Sequence, residues 1–201
     1  MSPNVPRAAP GCRIAMTGGP GGGKTTAADL FRRELGDRVV IVPESATILF
    51  SGGFPRSEHA TARKSVQSAI FHVQRNIEDV QAALYPERIL LCDRGTIDGA
   101  AYWPDGPADF FRAMDTSLEQ ELDRYDAVVF FETAAVAGLS IEGGNPVRRE
   151  TLEQARQLDS AQCALWSQHP RFSFVPHDQS FFRKIGVGLS LLQAISEELL
   201  D

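Results

Sequence analysis

The sequence predicts an α/β fold built on a five-stranded parallel β-sheet with helices on both faces. Three observations lead to this class: short apolar runs without polar alternation, helical patterns between them, and a glycine-rich segment after the first run. Such runs are typical of strands buried on both faces, and the intervening helices supply the crossovers that parallel strands require. The predicted strands are Arg13 to Thr17, Val39 to Val42, Ile89 to Cys92, Ala127 to Phe131 and Phe172 to Val175.

Helical periodicity separates these strands and completes the alternation. The predicted helices are Lys24 to Leu35, Ser57 to Leu84, Pro107 to Arg124, Pro146 to Ser167 and Phe181 to Leu200. A chain of 201 residues is closer to one domain than to two, since a domain averages about 150 residues. We assign this domain to residues 12–201 and expect the proline-rich residues 1–11 to be a flexible tail.

Composition and charge exclude several classes of protein. Hydrophobic residues make up 43% and charged residues 23% of the chain, a balance typical of globular rather than disordered or fibrous proteins. The apolar runs are far shorter than the roughly 18 to 20 residues of a membrane span, so no membrane partner is expected. A formal net charge of -6 disfavours nucleic acid as a partner. The three separated cysteines form no disulfide or metal-binding pattern, and we expect a cytoplasmic protein.

The glycine-rich segment matches the phosphate-binding pattern G-x-x-x-x-G-K-[ST]. It stands between a predicted strand and a predicted helix, which is the context that such a loop requires. Backbone N–H groups and the helix N-terminus favour phosphate there, the lysine reaches the β and γ phosphates, and the threonine hydroxyl binds Mg²⁺. The predicted nucleotide-binding residues of this segment are Gly18, Gly19, Pro20, Gly21, Gly22, Gly23, Lys24, Thr25 and Thr26.

A candidate metal ligand, Asp93, follows the third apolar run and precedes Arg94. The loops at the carboxyl ends of neighbouring parallel strands share one crevice, so we expect Asp93 to face the Mg²⁺ held by Thr25. The alternative is an aspartate that only ends a strand. Motor-type ATPases carry a glutamate directly after such an aspartate, so Arg94 argues against a motor. The residues predicted to bind the metal are therefore Thr25 and Asp93.

Three segments resemble those of one family. They are VPES at 42–45, CDRGTIDGAAYW at 92–103 and NPVRRET at 145–151. They are similar to the compact AAA-domain family, which includes the NadR-type ribosylnicotinamide kinase domain and the TRPL-translocation-defect-like GTP-binding proteins. The resemblance covers about residues 12 to 195 and lies within the nucleoside and nucleotide kinase group. It implies a P-loop NTPase fold with a lid, and it implies either a kinase or a regulatory nucleotide-binding protein.

A candidate general base, Glu44, follows the second predicted strand. Pro43 cannot donate to a sheet ladder and marks the end of that strand, which places the Glu44 carboxylate over the crevice. In the kinase group that this chain resembles, a glutamate here deprotonates an acceptor hydroxyl, whereas a phosphate acceptor needs no base. Three alternatives stay open: Glu44 is a solvated loop residue, Glu44 is an outer-shell Mg²⁺ partner, or Asp93 is the base.

We predict a lid over residues 138–150, a glycine-rich loop that leads into the start of the fourth predicted helix. We expect Asn145 to be the N-cap and Pro146 the first helical residue. Arg148 and Arg149 would then lie in the first helical turn, where the helix dipole penalises cations by roughly 0.3 to 1 kcal/mol. We therefore expect both to neutralise charge on the transferring phosphoryl group when the lid closes. The alternative is an ion pair with a glutamate of the same helix.

Two further segments are predicted to contact the ligands. The long second helix carries Phe71, Gln74 and Arg75 within reach of one another, and we expect this helix to cover the acceptor pocket. For Phe71 alone, core packing is the preferred interpretation. His177 and Asp178 follow the fifth strand, where the related kinases pack a loop around the nucleotide base. For an isolated histidine such as His177, a surface turn residue is the preferred interpretation. The guanine signature G-N-K-x-D is absent from the sequence, so we expect ATP as the donor, with GTP as the alternative.

Together these features predict a Mg²⁺-dependent phosphotransferase that moves the γ-phosphoryl group of ATP to a small nucleoside-like or other hydroxyl-bearing acceptor. The predicted catalytic residues are Lys24, Glu44, Asp93, Arg94, Arg148 and Arg149. A regulatory ATP- or GTP-binding protein with slow hydrolysis fits the same nucleotide site and is the alternative. An enzyme acting on nucleic-acid ends is a third interpretation, which the net charge of -6 disfavours.

Overall fold

The computed structural model describes residues 11–138 and 151–200, which fold around a five-stranded parallel sheet. The strands are β1 (Arg13–Thr17), β2 (Val39–Val42), β3 (Ile89–Asp93), β4 (Ala127–Phe131) and β5 (Phe172–Val175). Their order in the sheet is β2-β3-β1-β4-β5, and each neighbouring pair is parallel. The predicted sheet is confirmed, with Asp93 added to the third strand.

Helices connect the strands and cover the sheet. In the described residues the α-helices are α1 (Lys24–Leu35), α2 (Ser45–Ser51), α3 (Ala60–Leu84), α4 (Pro107–Ala113), α5 (Leu118–Leu122), α6 (Leu152–Trp166) and α7 (Phe181–Leu200). Short 3-10 helices lie at Gly36–Arg38, Thr96–Tyr102 and Ala134–Ala137. No helix in this part of the chain is long and apolar enough to cross a membrane.

Two apolar clusters form the core, one on each face of the sheet. Ile14 and Met16 of β1 belong to the cluster that contains Phe31 of α1. Ala15, between them, belongs to the other cluster, which contains Phe71 of α3. Because successive side chains of a strand point to opposite faces, burial of both faces explains why the strands lack polar alternation.

Several predicted helix boundaries are wrong. The segment Pro107 to Arg124 forms two helices, because Asp115 has a left-handed φ of 53° and Ser117 caps the start of α5. Helix α3 begins at Ala60, after an extended residue, and not at Ser57. The sequence patterns gave no sign of the short helix α2.

The start of α6 is also later than predicted. The structure places its N-cap at Thr151, whose hydroxyl accepts a hydrogen bond from the Gln154 backbone over 3.2 Å. The Gln154 side chain accepts in return from the Thr151 N–H over 2.9 Å. This capping box starts the helix at Leu152. The prediction that α6 begins at Pro146 is therefore wrong, and Asn145 and Pro146 themselves lie outside the described residues.

The strand order brings three predicted site segments to one edge of the sheet. Strand β3 lies between β1 and β2, and Asp93 at its end stands opposite Met16 near the end of β1. The loop after β1, the Asp93–Arg94 pair after β3 and Glu44 after β2 thus leave the sheet side by side. The fold accounts for their proximity although they are distant in sequence.

Candidate active site

The phosphate-binding loop, residues 18–25, holds its lysine close to its own backbone. Lys24 is 2% exposed, and its ammonium group donates hydrogen bonds to the carbonyl oxygens of Gly18 over 2.7 Å and Gly19 over 2.9 Å. Gly18 has a φ of 131°, and a Cβ there would lie 2.0 Å from the Phe131 carbonyl oxygen, so a side chain does not fit. The loop leads directly into α1, whose N-terminus attracts anions. This arrangement can hold a chain of phosphates.

Thr25 and Asp93 lie together beside this loop. The Thr25 hydroxyl donates to Oδ2 of Asp93 over 2.9 Å. Burial and the negative charge of Glu44 raise the pKa of Asp93, against the positive charges of Lys24 and Arg94. A hydroxyl and a carboxylate are the oxygen ligands that Mg²⁺ takes together with phosphate oxygens. In the described residues no group of three or more His, Cys, Asp and Glu could hold a metal ion.

Glu44 and Arg94 form an ion pair next to the loop. Nε of Arg94 lies 2.5 Å from Oε1 of Glu44, and the Thr47 hydroxyl donates to Oε2 over 2.5 Å. Burial alone would raise the pKa of Glu44, but Arg94, Thr47 and Lys24 outweigh it and hold that pKa below its ordinary value. Glu44 is therefore ionised at neutral pH and can accept a proton.

A second carboxylate, Asp98, supports this arginine. Its Oδ2 lies 3.6 Å from Nη1 of Arg94 and accepts from the Gly95 N–H over 3.2 Å. Its Oδ1 accepts from the Thr17 hydroxyl over 2.6 Å and from the Trp166 indole N–H over 2.8 Å. Sequence patterns do not reveal this network, because its members are far apart in the chain.

Helix α6 contacts the phosphate-binding loop through two buried polar residues, Asp159 and Gln162. Oδ1 of Asp159 accepts from the backbone N–H groups of Gly19 over 2.8 Å and Thr133 over 2.9 Å. Neither residue belongs to a sequence motif, but the helical spacing of α6 carries a signal for both. A helical stripe of core-facing spacing contains two polar residues. The stripe is Ala155, Asp159, Gln162 and Trp166.

A cavity of about 620 Å³ lies beside these groups. Its walls come from α2, α3, α6 and the 3-10 helix Thr96–Tyr102, and Glu44, Arg94 and Asp98 line it together with Pro20 of the loop. Much of the remaining wall consists of larger side chains: Phe50, Val66, Gln67, Ile70, Tyr102 and Leu158. The cavity therefore offers space for a small molecule next to the Glu44–Arg94 pair.

Helix α3 lines this cavity, but Phe71, Gln74 and Arg75 are not among the described residues that line it, and the preferred interpretation of Phe71 as a core residue is confirmed. Phe71 packs in the apolar core. Gln74 is buried and donates to Glu78 over 3.1 Å, and Arg75 pairs with Glu121 over 3.1 Å. The cavity instead contacts residues of α3 that precede Phe71 in the helix. These residues are Arg63, Val66, Gln67 and Ile70.

His177 and Asp178 lie in the turn after β5, close to the end of β4. The His177 N–H donates to the Glu132 side chain over 2.7 Å, and Asp178 pairs with Arg183 over 3.2 Å. These contacts order the turn. The role of His177 and Asp178 at the nucleotide base stays a prediction.

Arg148 and Arg149 lie outside the described residues, as does the predicted lid apart from Gly138. Because α6 begins at Leu152, the prediction that both arginines lie in its first turn is wrong. The helix-dipole argument for an anion beside them therefore falls. Their role at the transferring phosphoryl group stays a prediction.

A family model described as an AAA domain matches residues 13–180 of the chain. This span begins with β1 and ends after β5, so it includes the phosphate-binding loop, Glu44 and the Asp93–Arg94 pair. No curated protein matches the chain.

Solved structures of a deoxyadenosine kinase from M. mycoides are similar in fold. The structure with bound dATP is 15% identical, with a TM-score of 0.66, and the one with bound dCTP is 14% identical, with a TM-score of 0.64. Each match covers 90% of this chain and 99% of that chain. At this identity the likeness shows the P-loop fold of the nucleoside kinases and leaves the reaction to be argued from the site.

Proposed function

This chain belongs to the AAA domain family, and on that premise we propose that it is a Mg²⁺-dependent phosphotransferase that moves the γ-phosphoryl group of ATP to a hydroxyl of a nucleoside-like acceptor. The observation that carries the proposal is the Glu44–Arg94 pair, which lines a cavity of about 620 Å³ beside the phosphate-binding loop. A nucleotide site alone serves many functions. An ionised carboxylate between that site and a small-molecule cavity is what transfer to a hydroxyl requires.

The donor side of the proposal uses the phosphate-binding loop. Lys24 would contact the β and γ phosphates, and Thr25 and Asp93 would hold Mg²⁺, which neutralises phosphate charge when bound. Arg148 and Arg149, which lie outside the described residues, would serve the same electrostatic task in this proposal. GTP is the alternative donor.

Glu44, and not Asp93, is the base in this proposal. Glu44 lines the cavity, whereas Asp93 does not line it and accepts a hydrogen bond from Thr25. The acceptor oxygen would attack the γ-phosphorus as its proton moves to a Glu44 oxygen, and the bond from the γ-phosphorus to the bridging oxygen would break to release ADP. Arg94 would offset the negative charge near the transferring group.

The cavity suits a nucleoside-like acceptor in size and lining. Its volume of about 620 Å³ lies within the range of roughly 300 to 1,000 Å³ that is usual for small-molecule sites. Phe50 and Leu158 offer apolar surface to a ring. The Gln67 side chain lines the same space, and its amide makes no hydrogen bond within the described part of the chain. An amide can pair with the donor and acceptor edge of a base, which would leave a sugar hydroxyl for Glu44.

The test is an acceptor panel assayed with ATP or GTP and Mg²⁺. Since the structural relatives include a deoxyadenosine kinase, the panel begins with deoxyadenosine and other nucleosides and adds ribosylnicotinamide. ADP release and the phosphorylated product, identified by mass spectrometry, are measured together. If no acceptor raises ADP release above the rate in water while nucleotide still binds, the kinase proposal is refuted. Slow hydrolysis together with nucleotide-dependent capture of a protein partner would then favour the regulatory alternative.

A further inference from the structure

Gln162 lies on α6 where the phosphate-binding loop and Arg94 meet. Its side chain is fully buried, and its amide has one polar neighbour on each side: the Gly18 carbonyl oxygen and Nη1 of Arg94. Only one orientation of the amide sets a donor against the carbonyl and an acceptor against the guanidinium. In that orientation the amide donates to Gly18 over 3.1 Å and accepts from Arg94 over 3.0 Å.

This bond fixes the direction of the guanidinium group. Nη1 of Arg94 is farther from its other partners, at 3.3 Å from the Gly18 carbonyl oxygen and 3.6 Å from Oδ2 of Asp98. A guanidinium is planar and rigid, so a contact that holds Nη1 also orients Nε. Nε is the atom that lies 2.5 Å from Glu44. Gln162 therefore sets the angle at which Arg94 meets the carboxylate.

The backbone conformation of Arg94 also requires side-chain contacts that hold the residue in place. Its φ of 72° lies in the left-handed region, which residues other than glycine occupy at a cost and only where their surroundings hold them. The side-chain bonds to Glu44 and Gln162 are contacts of this kind. Removing the amide of Gln162 would abolish its own bond to Arg94 and weaken the bond between Arg94 and Glu44.

We propose that Gln162 is a positioning residue for phosphoryl transfer, which holds Arg94 against Glu44 and ties the pair to the phosphate-binding loop. The proposal rests on the proposed function, because it takes the roles of Arg94 and Glu44 from it. Gln162 is not among the described residues that line the cavity, so it acts through Arg94 and not by contact with the acceptor.

The expected signature is a change in the ionisation of Glu44. Charged groups from several elements surround that carboxylate or share its cavity: Lys24, Arg56, Glu58, Arg63, Asp93, Arg94 and Asp98. Among these cations, Arg94 lowers the pKa of Glu44 most. If Arg94 moves away, the effect of burial is offset less and the pKa of Glu44 rises.

The experiment compares the wild type with Gln162→Leu, which removes both amide bonds at similar volume. We expect kcat to fall by about 10- to 100-fold, the usual effect of losing a partner that orients a reacting group. The KM for ATP should change by less than about threefold, because the phosphate contacts remain. The acid limb of the kcat profile should move to higher pH. Gln168→Leu is the control, since Gln168 is exposed and bonds to the Ala164 carbonyl; its kinetics should match the wild type.

Two additional measurements separate positioning from a merely structural role. In an Arg94→Lys background, which lacks Nη1, Gln162→Leu should lower kcat by less than about twofold, because residues that act as a unit are not additive. Carbon-13 NMR of labelled glutamates, with the Glu44 signal assigned from Glu44→Gln, should show a higher pKa for Glu44 in Gln162→Leu. Should the leucine variant not fold, the unbranched Gln162→Met takes its place.

An unchanged Glu44 titration would overturn the proposal, as would an effect of Gln162→Leu that is equally large in the Arg94→Lys background. A parallel loss of ATP affinity and melting temperature without a shift of the acid limb would assign Gln162 to the fold alone. If the wild type phosphorylates no acceptor, the proposed function fails. The NMR titration then decides by itself whether Gln162 positions Arg94 against Glu44.

Discussion

Replacing Glu44 with glutamine should abolish most phosphoryl transfer while the nucleotide site stays intact. Glutamine has the same shape, and its amide oxygen can still accept from Arg94, but it cannot take a proton from a hydroxyl. The hydrogen bonds of the carboxylate go to Arg94 and Thr47. We therefore expect the dissociation constant of ATP to change by less than about threefold.

The size of the loss follows from the role of the base. General base catalysis contributes about 10²- to 10⁴-fold, so kcat should fall by that factor, which is about 3 to 5 kcal/mol in the activation barrier. The variant should also lose stability at neutral pH, because Arg94 keeps only Asp98, at 3.6 Å, as a carboxylate partner in the described network. Removing one member of a buried pair costs up to about 3 to 5 kcal/mol, and glutamine should cost less because it keeps a hydrogen bond.

The pH dependence of this stability loss has a definite sign. The pKa of Glu44 is lowered in the folded protein, so its charge stabilises the fold above the ordinary pKa and this contribution disappears as the pH falls through the folded pKa. The difference in unfolding free energy between wild type and Glu44→Gln should therefore stay constant from pH 7 down to about 5 and shrink as the pH falls below the ordinary pKa of a glutamate. Urea unfolding at several pH values measures it.

Glu197→Gln is the matched control, because it removes the same charge from an exposed position on α7. Quenched-flow measurement of phosphoryl transfer separates chemistry from product release. A normal rate in Glu44→Gln would refute the reasoning and make Asp93 the candidate base. A large loss of ATP affinity in the same variant would place Glu44 in the donor site.

Buried polar groups lead to three more expected outcomes. Without nucleotide and in EDTA, Asp93→Asn should raise the free energy of unfolding at pH 7, because burial and Glu44 raise the pKa of Asp93; a lower free energy of unfolding in urea would contradict this. Burial lowers the pKa of Lys184 to about 8, so the unfolded chain keeps that proton to higher pH. As the pH rises from about 8 to 10, the free energy of unfolding of the wild type should therefore increase by on the order of 2 kcal/mol relative to that of Lys184→Met. If the free energies of the two proteins change in parallel with pH, the prediction is wrong. Trp166→Phe should cost about 1 to 3 kcal/mol in thermal or urea unfolding, because buried Asp98 loses the indole donor; a neutral result would mean that Asp98 finds another partner.

The strands and the phosphate-binding loop could be predicted because their signals are local. A buried parallel strand shows as an apolar run, and the loop shows as glycines, a lysine and a threonine at fixed spacing between a strand and a helix. The positions of Glu44 and Asp93 followed from the same logic, since each stands at the end of a strand. Their proximity needed only the rule that the carboxyl ends of parallel strands meet at one edge.

The start of α6 shows where local signals compete. Asn145 and Pro146 are a common helix start, and so are Thr151 and Gln154 as a capping box. The sequence offers both, and the structure uses the second, with reciprocal bonds of 3.2 Å and 2.9 Å. The choice depends on which residues the helix must present to the core, and that is a property of the whole fold.

The contacts that complete the site could not be predicted because they join residues that are distant in sequence. Asp159 reaches Gly19 across 140 positions. Asp98 reaches Thr17 across 81. Helical spacing indicates that Asp159 and Gln162 face the core, but it does not identify the backbone groups to which they bond. Only the packing of α6 against the phosphate-binding loop decides that.

Two consecutive residues, Asp93 and Arg94, serve opposite sides of the site because the strand ends between them. The N–H of Arg94 still donates to the Met16 carbonyl over 3.0 Å, which continues the bonding of β3 to β1. Its φ of 72° then turns the chain, so that Asp93 contacts Thr25 of the phosphate-binding loop and Arg94 contacts Glu44 at the cavity. Glycine would adopt this backbone at less cost. It would also remove the guanidinium that keeps Glu44 ionised, so the proposed chemistry requires a side chain where the backbone alone would favour none.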